Sequence, residues 1–186
     1  MEKPLWRRRS STYLIESPHL RIRSDEVELP NGVILPHYYV RESGGFAMIF
    51  ALTPDRDVVL VRQYRYGIDK VIIELPAGSI DAGEDPLECA RREFTEETGY
   101  SAPRWERLSV VPAEPVRSNS YVHAFLAFDA VQTHPQQLDT TEAIEPFTVS
   151  LDELRQMLRT DAIGAVSCVA VAYTALERLR DALSER

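Results

Sequence analysis

The sequence predicts an α+β chain: an α/β/α sandwich preceded by a strand-rich N-terminal extension. Short apolar strand-like runs recur from Phe46 to Val149, and three segments carry helical spacing or helix caps. The first forty-odd residues read as short strands.

Residues 20–23 and 26–29 form two strand candidates separated by polar residues, and 37–40 a third. Asn31-Gly32 signals a two-residue hairpin between 27–29 and 33–35. Gly44-Gly45 marks a boundary, dividing the chain into a β-rich arm or subdomain at 1–43 and a main domain at 44–186. Phe46–Leu52 and 58–62 are apolar strands joined by a Pro-Asp turn, and 71–75 runs into Pro76-Ala77-Gly78. Asp85 suits an N-cap, Pro86 the first helical position and Gly99 the left-handed residue past a helix end, which brackets a helix at Pro86–Thr98. Leu87, Ala90 and Phe94 give it an apolar stripe. Strands follow at 107–111, 122–128 and Ile144–Val149. Ser150 and Glu153 form a capping box for a helix at Leu151–Arg159, and a last helix spans about 167–183.

The formal net charge of −8 over 186 residues argues against a nucleic-acid-coating protein or a binder of anionic membranes. Cys89 and Cys168 are the only cysteines, so neither a disulfide framework nor a zinc site is expected, and a reducing cytoplasm fits. The basic start MEKPLWRRRSS lacks a following apolar stretch, which argues against a signal peptide.

The chemistry concentrates between Gly78 and Tyr100. Glu93, Glu96 and Glu97 stand at i, i+3 and i+4 and share a helix face, where like charges destabilise a bare helix. Arg92 relieves part of that repulsion through Glu96 or Glu88. A divalent cation is the simplest remaining compensation. With oxygen ligands alone it is Mg²⁺ or Mn²⁺, and a hard cation implies phosphate chemistry. A solvated acidic face is the bland alternative.

Gly78, then Glu84 after five residues, then after seven more Arg92-Glu93-Phe94, Glu96-Glu97 and Gly99-Tyr100, match the Nudix box at every fixed polar position and glycine. The chain therefore resembles the Nudix hydrolases, and the weaker likeness extends from about Gly44 to the C-terminus. That resemblance implies the α/β/α sandwich, Mg²⁺-dependent cleavage of nucleoside diphosphates linked to another moiety, and a small-molecule nucleotide as substrate. It implies that the Ala77 carbonyl, Glu93, Glu96 and Glu97 ligate metal, that these glutamates are catalytic, and that Arg92 orients them. Val61-Arg62-Gln63-Tyr64-Arg65, Glu74-Leu75-Pro76-Ala77-Gly78 and Pro115, fifteen residues past Tyr100, resemble the ADP-ribose pyrophosphatase branch. The usual glycine after that proline is Val116 here. ADP-ribose would yield AMP and ribose 5-phosphate. GDP-mannose or another nucleoside diphosphate compound is the alternative substrate, and a non-catalytic nucleotide-sensing module the alternative role.

Arg65 has the fork to grip a diphosphate, or it bonds Glu74 or Asp69; Glu74 binds the terminal ribose or satisfies Arg65. Trp6, Tyr38, Tyr39 and Tyr64 offer aromatic faces for an adenine, or serve packing. Glu142 matches the branch's loop glutamate that activates water, although Thr140 stands where a second acid is common; the alternative is an exposed loop residue. The arm is too small to bury its own core and could exchange across a homodimer, as in relatives, or pack on its own subunit.

Overall fold

The structure, a computed structural model, describes residues 5–184. These fall into two compact units: the N-terminal segment through Gly45 together with Pro112–Tyr121, and Phe46–Val111 together with the residues from Val122 onward.

The first unit is a three-stranded antiparallel sheet of β1 (Arg7–Glu16), β2 (Arg21–Glu28) and β3 (Ile34–Glu42), in that spatial order. Every residue of β1 is exposed, so pairing and not burial makes it a strand. Charged cross-strand contacts hold it to the sheet: Arg7 to Glu28 at 2.5 Å, Arg9 to Glu26 at 3.2 Å, and the Tyr13 hydroxyl donating to Glu42 at 2.8 Å. Two expectations are corrected here. The candidates at 20–23 and 26–29 are one continuous strand, β2, whose polar middle survives through a register shift between Asp25 and Val27 and a buried Asp25 held by Arg23. The β2–β3 turn is also longer than two residues, because Leu29 N–H donates to the Val33 carbonyl and Asn31 Oδ1 accepts from Val33 N–H.

The second unit contains β4 (Phe46–Leu52), β5 (Val58–Arg65), β6 (Lys70–Glu74), β7 (Ala77–Ser79), α1 (Pro86–Thr98), β8 (Tyr100–Ser101), β9 (Arg104–Pro112), β10 (Tyr121–Phe128), β11 (Val131–Gln132), β12 (Ile144–Val149), α2 (Leu151–Arg159) and α3 (Val166–Ser184). The main sheet has the order β12-β5-β4-β10-β9, with β6 on β5 and β7 on β4; β4 and β10 run parallel. Alternation along β4 explains the layering. Met48, Phe50 and Leu52 join Leu154 and Leu158 of α2 and Val171, Ala172 and Ala175 of α3, while Ala47, Ile49 and Ala51 join Cys89, Ala90 and Phe94 of α1. This is the α/β/α sandwich.

The helix α1 starts and stops as its sequence dictates. Asp85 accepts from Leu87 and Glu88 N–H, Pro86 opens the helix, and Gly99 closes it at φ 74°. Phe94 is fully buried and meets Trp105 in a T-shaped pair, so truncating it to Ala is expected to cost about 3–5 kcal/mol. Its opposite, polar side carries the acidic cluster.

Candidate active site

Strand β7 lies antiparallel to β4, pairing Ala77 with Met48 and Gly78 with Ala47, and this brings the Ala77-Gly78 backbone alongside α1. Ala77 N–H donates to Glu97 Oε2 at 3.1 Å. Glu97 is only 4% exposed. Burial, opposed by the Ala77 N–H and reinforced by the Glu93 and Glu142 charges, pushes its carboxyl up to about 8. Burial likewise raises Glu93, against the pull of Arg92, with Glu96 and Glu142 adding like charge. Glu142, exposed on the loop before β12, is therefore electrostatically coupled to both of these acids.

Gly78 is not at a positive φ, so turn geometry is not what requires a glycine there. Its role is space. A Cβ there would fall 1.8 Å from Glu93 Cδ, so the Glu93 side chain occupies the room that glycine leaves.

Arg92 is the hub of the cluster. It forks onto Glu84 at 2.9 and 3.0 Å and reaches Glu93 at 2.8 Å and Glu96 at 3.1 Å. Glu96 was one of its two expected partners. The other, Glu88, instead bonds Arg91 at 2.8 Å, because the turn before α1 folds Glu84 back onto Arg92. Arg92 is the first cause, with the Asp81 N–H next, of a Glu84 carboxyl held down at about 2. With Arg92 holding three carboxylates, no three acidic, imidazole or thiol side chains among the described residues converge into a ready metal cage. The donors themselves suit a hard divalent cation: all are oxygens, and the buried Glu97 carboxylate has a single backbone N–H as its hydrogen-bond partner.

The remaining sequence candidates separate. In the second unit Arg65 Nε donates to buried Glu74 at 2.8 Å, the pairing that was one of its two readings. In the first unit Trp6, half exposed, meets Tyr38 edge-on at 5.7 Å, and Pro115 sits second in a turn closed by Arg117 N–H onto the Glu114 carbonyl at 3.1 Å. Sequence reasoning missed Gln136, whose side-chain amide donates to the carbonyls of Glu97 at 2.6 Å and Ile144 at 2.9 Å. A glutamine of the Gln136-Gln137 pair, in the segment between β11 and β12, carries no signal for that role.

Comparison with known proteins agrees with this geometry. The NUDIX domain family matches residues 44–167, and the nucleoside diphosphate sugar hydrolase N-terminal domain matches 6–40. The methanol dehydrogenase activator of Bacillus methanolicus is 34% identical over 160 residues, covering 85% of this chain and 86% of that protein. The ADP-ribose pyrophosphatase of Bacillus subtilis (strain 168) is 31% identical over 155 residues, covering 82% and 83%. A crystal structure of an ADP compounds hydrolase shares the fold with a TM-score of 0.82 at 22% identity, covering 97% of this chain and 96% of that one. Sandwich and acid-bearing helix together mark a pyrophosphohydrolase of the Nudix type. The chain belongs to the Nudix family, whose hydrolases generally use a divalent cation.

Proposed function

We propose that this enzyme hydrolyses the pyrophosphate bond of ADP-ribose to give AMP and ribose 5-phosphate, with Mg²⁺ as its cation and Mn²⁺ as a substitute. One observation carries the reading: Glu97, buried and anchored to the Ala77 N–H, is crowded by Glu93 and Glu142. A buried carboxyl crowded by other acids needs compensation: a proton supplies it in the metal-free protein, and a bound cation would supply it with the carboxylate ionised. Glu93, Glu96, Glu97 and the Ala77 carbonyl are the proposed ligands, and the Gly78 gap that admits Glu93 supports this. When bound, the cation would neutralise charge on the transferring phosphoryl group and make water more acidic. Water attacks one phosphorus, the bridging P–O bond breaks, and Glu142 accepts the water proton. Glu93, Glu96 and Glu97 fix the ligand geometry; Arg92 holds the Glu93 and Glu96 carboxylates in register, and the Ala77 N–H holds that of Glu97. Arg65 releases Glu74 to hold diphosphate oxygens, leaving Glu74 for the terminal ribose. Trp6 keeps an exposed face for base stacking, and Pro115 stiffens a turn offered to substrate.

The match to a nucleoside diphosphate sugar hydrolase N-terminal domain supports that substrate class and keeps GDP-mannose as the second reading. Incubation of the purified enzyme with each compound and Mg²⁺, followed by product separation, decides between them. AMP from ADP-ribose alone is expected; cleavage of neither removes the proposal. Glu97→Gln should fold normally and lose at least about a hundredfold in turnover. Wild-type turnover would take Glu97 off the catalytic list. The fully exposed β1, with Tyr13, Leu14 and Ile15 at its surface, supports a homodimer, and two free buried cysteines suit a reducing cytoplasm.

A further inference from the structure

The C-terminal turn of α1 does not end in solvent. Helix ends leave their last carbonyls without intrahelical partners. Here the segment after β11 supplies partners: Gln137 N–H donates to the Glu96 carbonyl at 2.9 Å, the Gln136 side chain to the Glu97 carbonyl at 2.6 Å, and both Thr133 and His134 N–H to the Gly99 carbonyl. The approach is close enough that a Cβ on Gly99 would stand 2.3 Å from the His134 carbonyl oxygen. The box glycine is thus required twice, for its φ of 74° and for this contact.

The second hydrogen on the Gln136 amide goes to the Ile144 carbonyl at 2.9 Å, where β12 begins. One side chain therefore spans the neck of the loop 137–143 and fastens it to the backbone of Glu97. Glu142 rides on that loop, which is further shaped by Asp139 N–H donating to Glu142 Oε2 at 3.1 Å and Glu142 N–H to the Asp139 carbonyl at 2.9 Å. We propose that Gln136 is a positioning residue for hydrolysis: by pinning the loop neck to the end of α1, it sets Glu142 against the box glutamates. The inference rests on the role given to Glu142 above. Without the pin the loop neck loses both Gln136 bonds and keeps only the Gln137 N–H to Glu96 carbonyl contact against the entropic cost of closure, and Glu142 samples positions away from the reacting water.

The test is a double-mutant cycle on the full chain with ADP-ribose and Mg²⁺, using Gln136→Met (similar length, no donor) and Glu142→Gln. Gln136→Asn, one methylene too short to reach both carbonyls, replaces Gln136→Met if that variant fails to fold. Gln136→Met is expected to lower kcat about tenfold with KM changed by less than about threefold, to alter the pH profile as Glu142→Gln does, and to add nothing in the Glu142→Gln background. Amide exchange across 137–143 should quicken. A loss that multiplies in full in the double variant, or wild-type kcat in Gln136→Met, overturns this inference alone. Wild-type turnover in Glu142→Gln refutes the role of Glu142 and the inference with it.

Discussion

Replacing Gly78 with alanine separates folding from catalysis more cleanly than deleting an acid. The new Cβ would fall 1.8 Å from Glu93 Cδ, 2.2 Å from Oε1 and 2.3 Å from Cγ, against the 3.0 Å below which real Cβ contacts essentially do not occur. Gly78 lies in β7 without a positive φ, so the backbone accepts alanine, and the narrower unfolded ensemble even returns about 0.4–1 kcal/mol. What must move is the end of a flexible side chain, by roughly an ångström. The weakened Glu93–Arg92 bond, 2.8 Å and partly exposed, offsets about 1 kcal/mol at most. Net stability should therefore change by less than about 1 kcal/mol, or 2–4 °C in Tm. Displacing a proposed metal ligand by that distance is expected to cut kcat about a hundredfold. Thermal unfolding and steady-state cleavage of ADP-ribose measure the two quantities on one preparation. A folded variant with wild-type kcat would refute the argument that Gly78 exists to seat Glu93.

The other predictions concern charge, thiols and assembly. In metal-free protein Glu97 holds a proton up to about pH 8 that the unfolded chain releases near its ordinary 4.5, so its contribution falls as pH rises between those values. Metal-free Glu97→Gln should thus be the more stable protein, by about 3 kcal/mol at pH 7, with the gap in Tm widening toward pH 8; equal Tm values at every pH would contradict this. Burial is the first cause that pushes both Cys89 and Cys168 up to about 12, so an aromatic disulfide reagent at pH 8 should label neither in the native enzyme and both after denaturation. Rapid native labelling would show the core open at that site. Sedimentation at micromolar concentration should give a dimer, and a stable monomer would contradict the reading of β1 as an unpartnered edge.

Much of the second unit was legible because its signals are local. Asp85, Pro86 and Gly99 fix α1 at Pro86–Thr98, and Ser150 with Glu153 fixes α2 at Leu151–Arg159, both as the caps require. Strand β1 was not legible. RRRSSTYLIE buries no side chain and shows no core-facing alternation, and its strand depends on Arg7, Arg9 and Tyr13 finding Glu28, Glu26 and Glu42 across a register that no local pattern states. In the candidate site, the residue types at Glu93, Glu96 and Glu97 announced their chemistry. The distribution of Arg92 among Glu84, Glu93 and Glu96, and the bridging by Gln136, arise from tertiary approach between segments far apart in sequence.

The central claim is that the acids of α1 form a divalent-cation site, and titration of Mn²⁺ followed by electron paramagnetic resonance tests it without any turnover. Wild-type protein is expected to bind Mn²⁺, to release it to excess Mg²⁺, and to lose at least tenfold in affinity as Glu97→Gln, with the fold unchanged. Equal affinity in the two proteins, or no binding by the wild type, would contradict the account.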